Sequence, residues 1–180
     1  VAESALYLRI TQPNPNGNGN DTQHFDNFKV ILNGVTYNFS DLVVVSATGY
    51  ITPDGSNDFG STGQSGNART ILFQIPGAPA NASVQVMFDY SIDNRNVTNN
   101  DNGAIFAIGT TSTTFTTIAD YSDDSRYAAN AITGGAAHSF WFNYSVSGST
   151  VTVSSLADPI ILDLGVAGIS LSNSASFDMD

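Results

Sequence analysis

Cysteine is absent, so disulfides and thiolate metal sites are excluded from the start. A domain of this kind working outside the cell needs another staple, and bound calcium is the usual one. Basic residues are nearly as scarce: Lys and Arg total 5 against 16 acidic residues, for a formal net charge of −11 and a sequence pI of about 4.1. That balance rules against nucleic acid and anionic membrane surfaces, whose phosphates need Lys and Arg. Glutamate is limited to Glu3; every other acid is Asp, which suits turns and compact oxygen cages better than helices. There is no long apolar run to cross a membrane and no signal peptide, as expected for a soluble module taken from something larger. Catalytic signatures are missing as well. The 2 histidines, His24 and His138, sit beside aromatics in strand-like context, and neither a G-x-S-x-G elbow nor an H-E-x-x-H helix occurs. Glu3 lies in a terminal fringe where it cannot serve as half of a glycosidase carboxylate pair. No enzyme is expected.

What is present is Asn, Asp, Ser, Thr and Gly between apolar stretches of period two. With 41% hydrophobic and 12% charged residues, the polar surface is one of strands and loops. Ala5 to Ile10 alternates as a first strand; FDNFKVIL follows, apolar on both sides, and Asn33-Gly34 then gives a type I′ hairpin signal before VTYNF. Asp41 to Val45 reads as a short buried strand, and TILFQI and SVQVMFDYSI as longer ones. GAIFAIG, a Thr-rich exposed edge over Thr110 to Thr117, SFWFNYSV and TVTVSS complete the series. Trp141, between Phe140 and Phe142, reads as core rather than as a ligand-stacking residue. Ser122 to Ala131 is the one place for a short helix, with Ser122 as its N-cap. The expected fold is therefore all-β, an antiparallel β-sandwich of roughly ten to twelve strands with long loops and at most one short helix. Residues 1–157 form the sandwich, and 158–180 form a C-terminal strand pair packed on it.

The loops carry the chemistry. The stretch between the strands around Phe88 and Ile105 holds Asp93, Asn94, Asn96, Asn99, Asn100, Asp101 and Asn102, nearly all oxygen donors. Asp21 and Asp26 lie in and just beyond an earlier Asn/Gly loop, Asp54 and Asp58 in a later one, and Asp123 beside Asp120 and Asp124. Each loop alone can be read two ways. It is a turn whose Asx side chains bond its own backbone, or part of a hard-cation cage of six to eight oxygens. Their recurrence favours calcium, held by Asp93, Asn94, Asp101, Asp54, Asp58, Asp21, Asp26, Asp123 and Asp163. A ligand carboxylate or vicinal hydroxyls would complete an open coordination position, with Asn99, Asn100, Asp101, Asn102, Tyr121 and Arg126 around it.

The last stretch, DPIILDLGVAGISLSNSASFDMD over Asp158 to Asp180, resembles the D-P-[LIV]-[LIV]-L-D-L-x-G-x-G-[IV]-x-L…F-D-x-D segment near the C-terminal ends of giant bacterial RTX-type surface adhesins. The resemblance rests on Asp158-Pro159, Leu162-Asp163-Leu164, Gly168-Ile169, Leu171 and Phe177-Asp178-Met179-Asp180. Members usually carry D-L-D-G-D-G where this chain has Gly165-Val166-Ala167-Gly168, so this turn has lost its carboxylates while Asp163, Asp178 and Asp180 remain. The resemblance implies an extracellular module of a calcium-rigidified adhesin on a bacterial cell surface, a monomeric unit within a larger chain. Two roles are consistent with it. One is calcium-dependent binding of a peptide or glycan on another cell; the alternative is a non-binding scaffold or spacer in which calcium serves rigidity alone. The long loops favour binding, because a spacer should be compact and short-looped.

Overall fold

A computed structural model describes residues 5–13, 22–62, 68–93, 104–120 and 136–154. The period-two stretches become strands: β1 (Leu6–Gln12), β2 (Thr22–Leu32), β3 (Val35–Asn38), β4 (Val43–Thr48), β5 (Tyr50–Ile51), β6 (Phe59–Ser61), β7 (Arg69–Ile75), β8 (Asn81–Asp93), β9 (Ile105–Gly109), β10 (Thr116–Asp120), β11 (Ala136–Ser147) and β12 (Thr150–Ser154). A single 3-10 turn, Phe39–Asp41, links β3 to β4, and the described residues contain no α-helix. The helix expected over 122–131 and the C-terminal strand pair expected over 158–180 lie outside the described residues.

All pairings among the described residues are antiparallel. One sheet has five strands in the order β10-β9-β1-β7-β4; the other has seven, ordered β12-β11-β8-β2-β6-β5, with β3 also on β2. The layers meet over an apolar core in which phenylalanine dominates. Phe88 of β8 is its hub, within 5.4 Å of Phe25, 6.0 Å of Phe28, 5.3 Å of Phe106 and 6.5 Å of Phe140, ring centre to ring centre.

One backbone irregularity makes this packing possible. Phe25 and Phe28 are both buried although three residues apart, a spacing that a regular strand would send to opposite faces. The β2–β8 register shifts between Asp26 and Lys29, and Asn27 takes a φ of 50°. This bulge inserts one residue, so both phenylalanines turn inward while Asp26 and Asn27 stay outside. The apparently two-sided apolar character of FDNFKVIL is thus an alternation interrupted by a bulge. At Asn33-Gly34 both φ values are positive, 49° and 84°, as the I′ hairpin requires.

The registers also sort the connections. Gln12 pairs with Arg69, Thr11 and Asp120 with Ile105, Thr22 with Asp93, and Ala136 with Tyr90. The long connections 13–21, 62–68, 94–104 and 121–135 therefore all begin and end at one rim of the sandwich. Short turns at 33–34, 76–80, 110–115 and 148–149 close the opposite end. There the Thr110 hydroxyl donates to the Ser149 carbonyl at 3.0 Å, tying the sheets together.

Three expectations need correction. The segment read as a buried strand from Asp41 is an edge: Asp41 belongs to the 3-10 turn, and all of β4 is exposed, Val43, Val44 and Val45 by 49%, 39% and 44%. Hydrophobicity marks a strand but does not say which sheet position it takes. The Thr-rich edge strand begins only at Thr116, because 110–115 form the turn that returns the chain from β9. Trp141 is not core. Phe140 and Phe142 take the inward phase of β11, which leaves Trp141 half-buried on the outer face.

Replacing the hub residue, Phe88→Ala, is expected to lower unfolding stability by about 3–5 kcal/mol; urea titration of the variant beside the parent measures the difference.

Candidate functional site

Just inside the rim the two sheets are joined by polar side chains rather than apolar ones. Gln12, Gln23 and Arg69 occupy the inward phase of β1, β2 and β7, where alternation would otherwise place core residues, and all are fully buried. The Arg69 guanidinium donates through Nη1 to Gln12 Oε1 at 2.7 Å and to Ser61 Oγ at 3.3 Å. Ser61 Oγ also accepts the Gln23 backbone N–H at 2.7 Å, and the Tyr50 hydroxyl donates to Gln23 Oε1 at 2.9 Å. Burial pushes the Tyr50 hydroxyl well above its ordinary pKa of 10.0, with the Arg69 charge acting in the opposite sense. Tyr50 is thus a neutral donor at neutral pH. The chain enters this region through Gly49, whose φ is +70°; a Cβ there would sit 2.8 Å from Arg69 Cγ.

On the rim-side flank, His24 Nδ1 bonds the Asp54 carboxylate, and His24 Nε2 lies 3.2 Å from the Thr22 hydroxyl. Both partners of the His24–Asp54 pair are about one-sixth exposed, at 17% and 16%. Asp54 is presented by a tight turn: its N–H donates to the Asn57 carbonyl at 3.1 Å, and the Asn57 N–H donates to the Asp54 carbonyl at 2.9 Å. Gly60 lies directly beneath, and a Cβ on it would clash with the Asp54 carboxylate. The cluster clasps the β5–β6 connection onto β2. Its order of hydroxyl, imidazole and carboxylate is also that of an acyl-transfer triad.

A second acidic group sits at the β2 bulge. Asp58 Oδ2 accepts the Phe28 N–H at 2.8 Å, and Asn27 Nδ2 donates to Asp89 Oδ2 at 2.7 Å. Asp58 borders an open groove of about 250 Å³ together with Asn27, Lys29, Asn38 and Ser40. Partial burial raises the Asp58 carboxyl above its ordinary 3.8; the Phe28 N–H pulls it down, and the neighbouring Asp26 charge pushes it up again.

These bonds decide what the sequence-derived ligand set does within the described residues. Asp54 serves His24 and Asp58 serves the bulge, with Asp26 beside it, and no three His, Cys, Asp or Glu side chains there gather into a metal site. Asp93 ends β8 at the rim. Asp21, Asn94, Asn99, Asn100, Asp101, Asn102, Tyr121, Asp123 and Arg126 belong to the connections that begin and end at that rim, outside the described residues, as does Asp163 of the C-terminal segment. Sequence reasoning passed over Gln12, Gln23, Arg69 and the His24–Asp54 pair. The signal for the first three was available: each is a polar residue in phase with the apolar positions of its own strand. No helix among the described residues is long and apolar enough to cross a membrane. No family model, no curated protein and no solved structure matches the chain.

A carboxyl whose folded pKa is raised binds more protons in the folded than in the unfolded state, so its contribution to stability falls as pH rises above 3.8. Asp58→Asn keeps an oxygen for the Phe28 N–H and removes the charge. It is expected to unfold at higher denaturant than the parent at pH 7, the gap closing at pH values below 3.8, where Asp58 is protonated in both states. A lower midpoint at pH 7 would mean that the carboxylate itself is required there, as it is for a bound cation.

Proposed function

We infer that the protein is a calcium-dependent ligand-binding module of a bacterial RTX-type surface adhesin, attaching to a peptide or glycan on another cell. The observation that carries this reading is the sorting of connections. The Asp- and Asn-rich connections 13–21, 94–104 and 121–135 are anchored at the rim that Arg69 and Gln12 underlie, while the β5–β6 connection folds back onto β2 and tight turns close the other end. Donor-rich segments from several strands starting at one place are what a multi-oxygen cation site and a variable binding surface both need. Since Asp54 bonds His24 and Asp58 bonds the Phe28 N–H of the bulge, the oxygens for calcium come instead from Asp21, Asp93, Asn94, Asp101 and Asp123. Calcium there supplies charge to offset a net of −11 and a position for a ligand oxygen. The surroundings fit an extracellular, monomeric module in a longer surface chain: no cysteine, few basic groups, and a C-terminal segment resembling that family's.

Millimolar calcium is expected to raise the thermal midpoint by roughly ten degrees over excess chelator, because an ion that binds only the folded state stabilises it by mass action. Binding to a peptide and glycan array is expected to disappear in chelator. A calcium shift with no array ligand in either condition would favour the scaffold role; no shift at all removes calcium from the account.

The Thr22–His24–Asp54 series supports a competing reading as a hydrolase. A panel of chromogenic esters and glycosides, with His24→Ala as control, is expected to give no turnover above background. Turnover lost in the variant would replace the binding reading.

A further inference from the structure

We propose that the outer face of the seven-stranded sheet carries a second binding site, centred on Trp141, for a neutral oligosaccharide. Its geometry follows from register. Ile31 of β2, Gln85 of β8 and Trp141 of β11 stand in one cross-strand row, and Ser83 and Asn143 form part of the next. Together with Gly34 of the β2–β3 turn they line an open groove of about 350 Å³, within the size range of small-molecule sites. The bare backbone at Gly34 leaves one end of the groove low.

The chemistry of the lining selects the ligand. Trp141 offers an indole whose electron-rich face attracts the slightly positive C–H bonds on the apolar face of a sugar ring. Around it the polar groups are amides and a hydroxyl, already oriented by one another. The Ser83 hydroxyl donates to Asn143 Oδ1 at 2.6 Å, which directs the Asn143 NH2 donors outward. Gln85 Nε2 donates to Ser139 Oγ at 2.7 Å, which leaves the Gln85 carbonyl oxygen as an acceptor. A hydroxyl can both donate and accept, so adjacent sugar hydroxyls satisfy that pair together. Among the described residues no charged side chain lines the groove, in a chain of net −11, and this argues against acidic glycans and against basic peptides alike. The site does not depend on the calcium reading. Gln85 lies eight residues along β8 from Asp93, about 25 Å from the rim at the usual strand rise.

Trp141 is the only tryptophan, so tryptophan emission, excited at the red edge of the band where tyrosine does not absorb, reports on this groove alone. The test titrates the calcium-loaded protein with cello-, malto-, manno- and chito-oligosaccharides of six units, reading emission, and repeats any positive pair by calorimetry with Trp141→Ala and Gln85→Ala. The expected result is a saturable emission change with at least one of them, and an affinity about tenfold or more weaker in the Trp141 variant. Gln85→Ala should weaken binding less, with the unfolding midpoint of both variants close to that of the parent because neither side chain is in the core. Failure of all four sugars to bind overturns the proposal, and so does binding that Trp141→Ala leaves intact. Trp141-dependent capture of an acidic polysaccharide or a peptide, with no neutral sugar bound, equally overturns it. If Trp141→Ala does not fold, the Gln85 variant and the emission titration of the parent still decide.

Discussion

The arrangement rests on a buried cation. Arg69 places a permanent positive charge between two sheets of an acidic protein, 2% exposed, held by the Gln12 amide and the Ser61 hydroxyl. A guanidinium cannot shed its proton to escape burial as a lysine can, so its surroundings must solvate it. Gln12, Ser61, Gln23 and Tyr50 do so in series, and the series crosses from β1 and β7 to β2, β5 and β6. Hydrogen bonds have direction where apolar contacts have none, so this layer fixes how one sheet is rotated and shifted over the other. Gly49 then follows as a steric necessity, because the crossing into β5 runs against the stem of Arg69. The strand ends beneath the rim are thereby joined across both sheets in a protein with no disulfide to do it.

The middle of the sandwich is held by shape instead. The Phe25, Phe28, Phe88, Phe106 and Phe140 rings touch at stacked, tilted or edge-on geometries through both layers. The bulge at Asn27 is what brings two of them in from one strand. Polar specificity at one end and aromatic packing along the middle divide the work of replacing covalent cross-links. The bulge links the two, since it also delivers the Phe28 N–H to Asp58 and Asn27 to Asp89 on the outside.

Much of this fold was legible in the sequence, and what was not has identifiable causes. Strands announce themselves by alternation, and Asn33-Gly34 by its tolerance of positive φ, because both are local properties. Position within a sheet is not local. Three valines in succession look the same at an edge as at a centre, which is why β4 was expected to be buried. Trp141 was a different kind of miss: period two, applied to Phe140 and Phe142 as buried neighbours, places the residue between them outside. The site was harder still. The meeting of His24 with Asp54 depends on β6 pairing with β2, and the common rim of the long connections depends on strand order, neither of which leaves a mark in spacing. Carboxylates in loops were read as equivalent candidates; the structure separates Asp54 and Asp58, which have backbone or imidazole partners, from those of the rim connections.

The exposed valines of β4 give the net charge a further meaning. An apolar edge strand with open backbone valences invites pairing with the edge of another molecule, and natural sheets usually guard such an edge with a lysine or a proline. Here neither stands in VVVSAT, and among the described residues only the shift in register between Val44 and Ser46 blunts it. The remaining guard is the acidity of the whole molecule, a repulsion between like bodies that acts over about 10 Å in 0.1 M salt and shrinks as salt is added. Colloidal stability in this protein is therefore tied to ionic strength, and any divalent cation that neutralises its carboxylates also lowers the barrier between one sheet edge and the next.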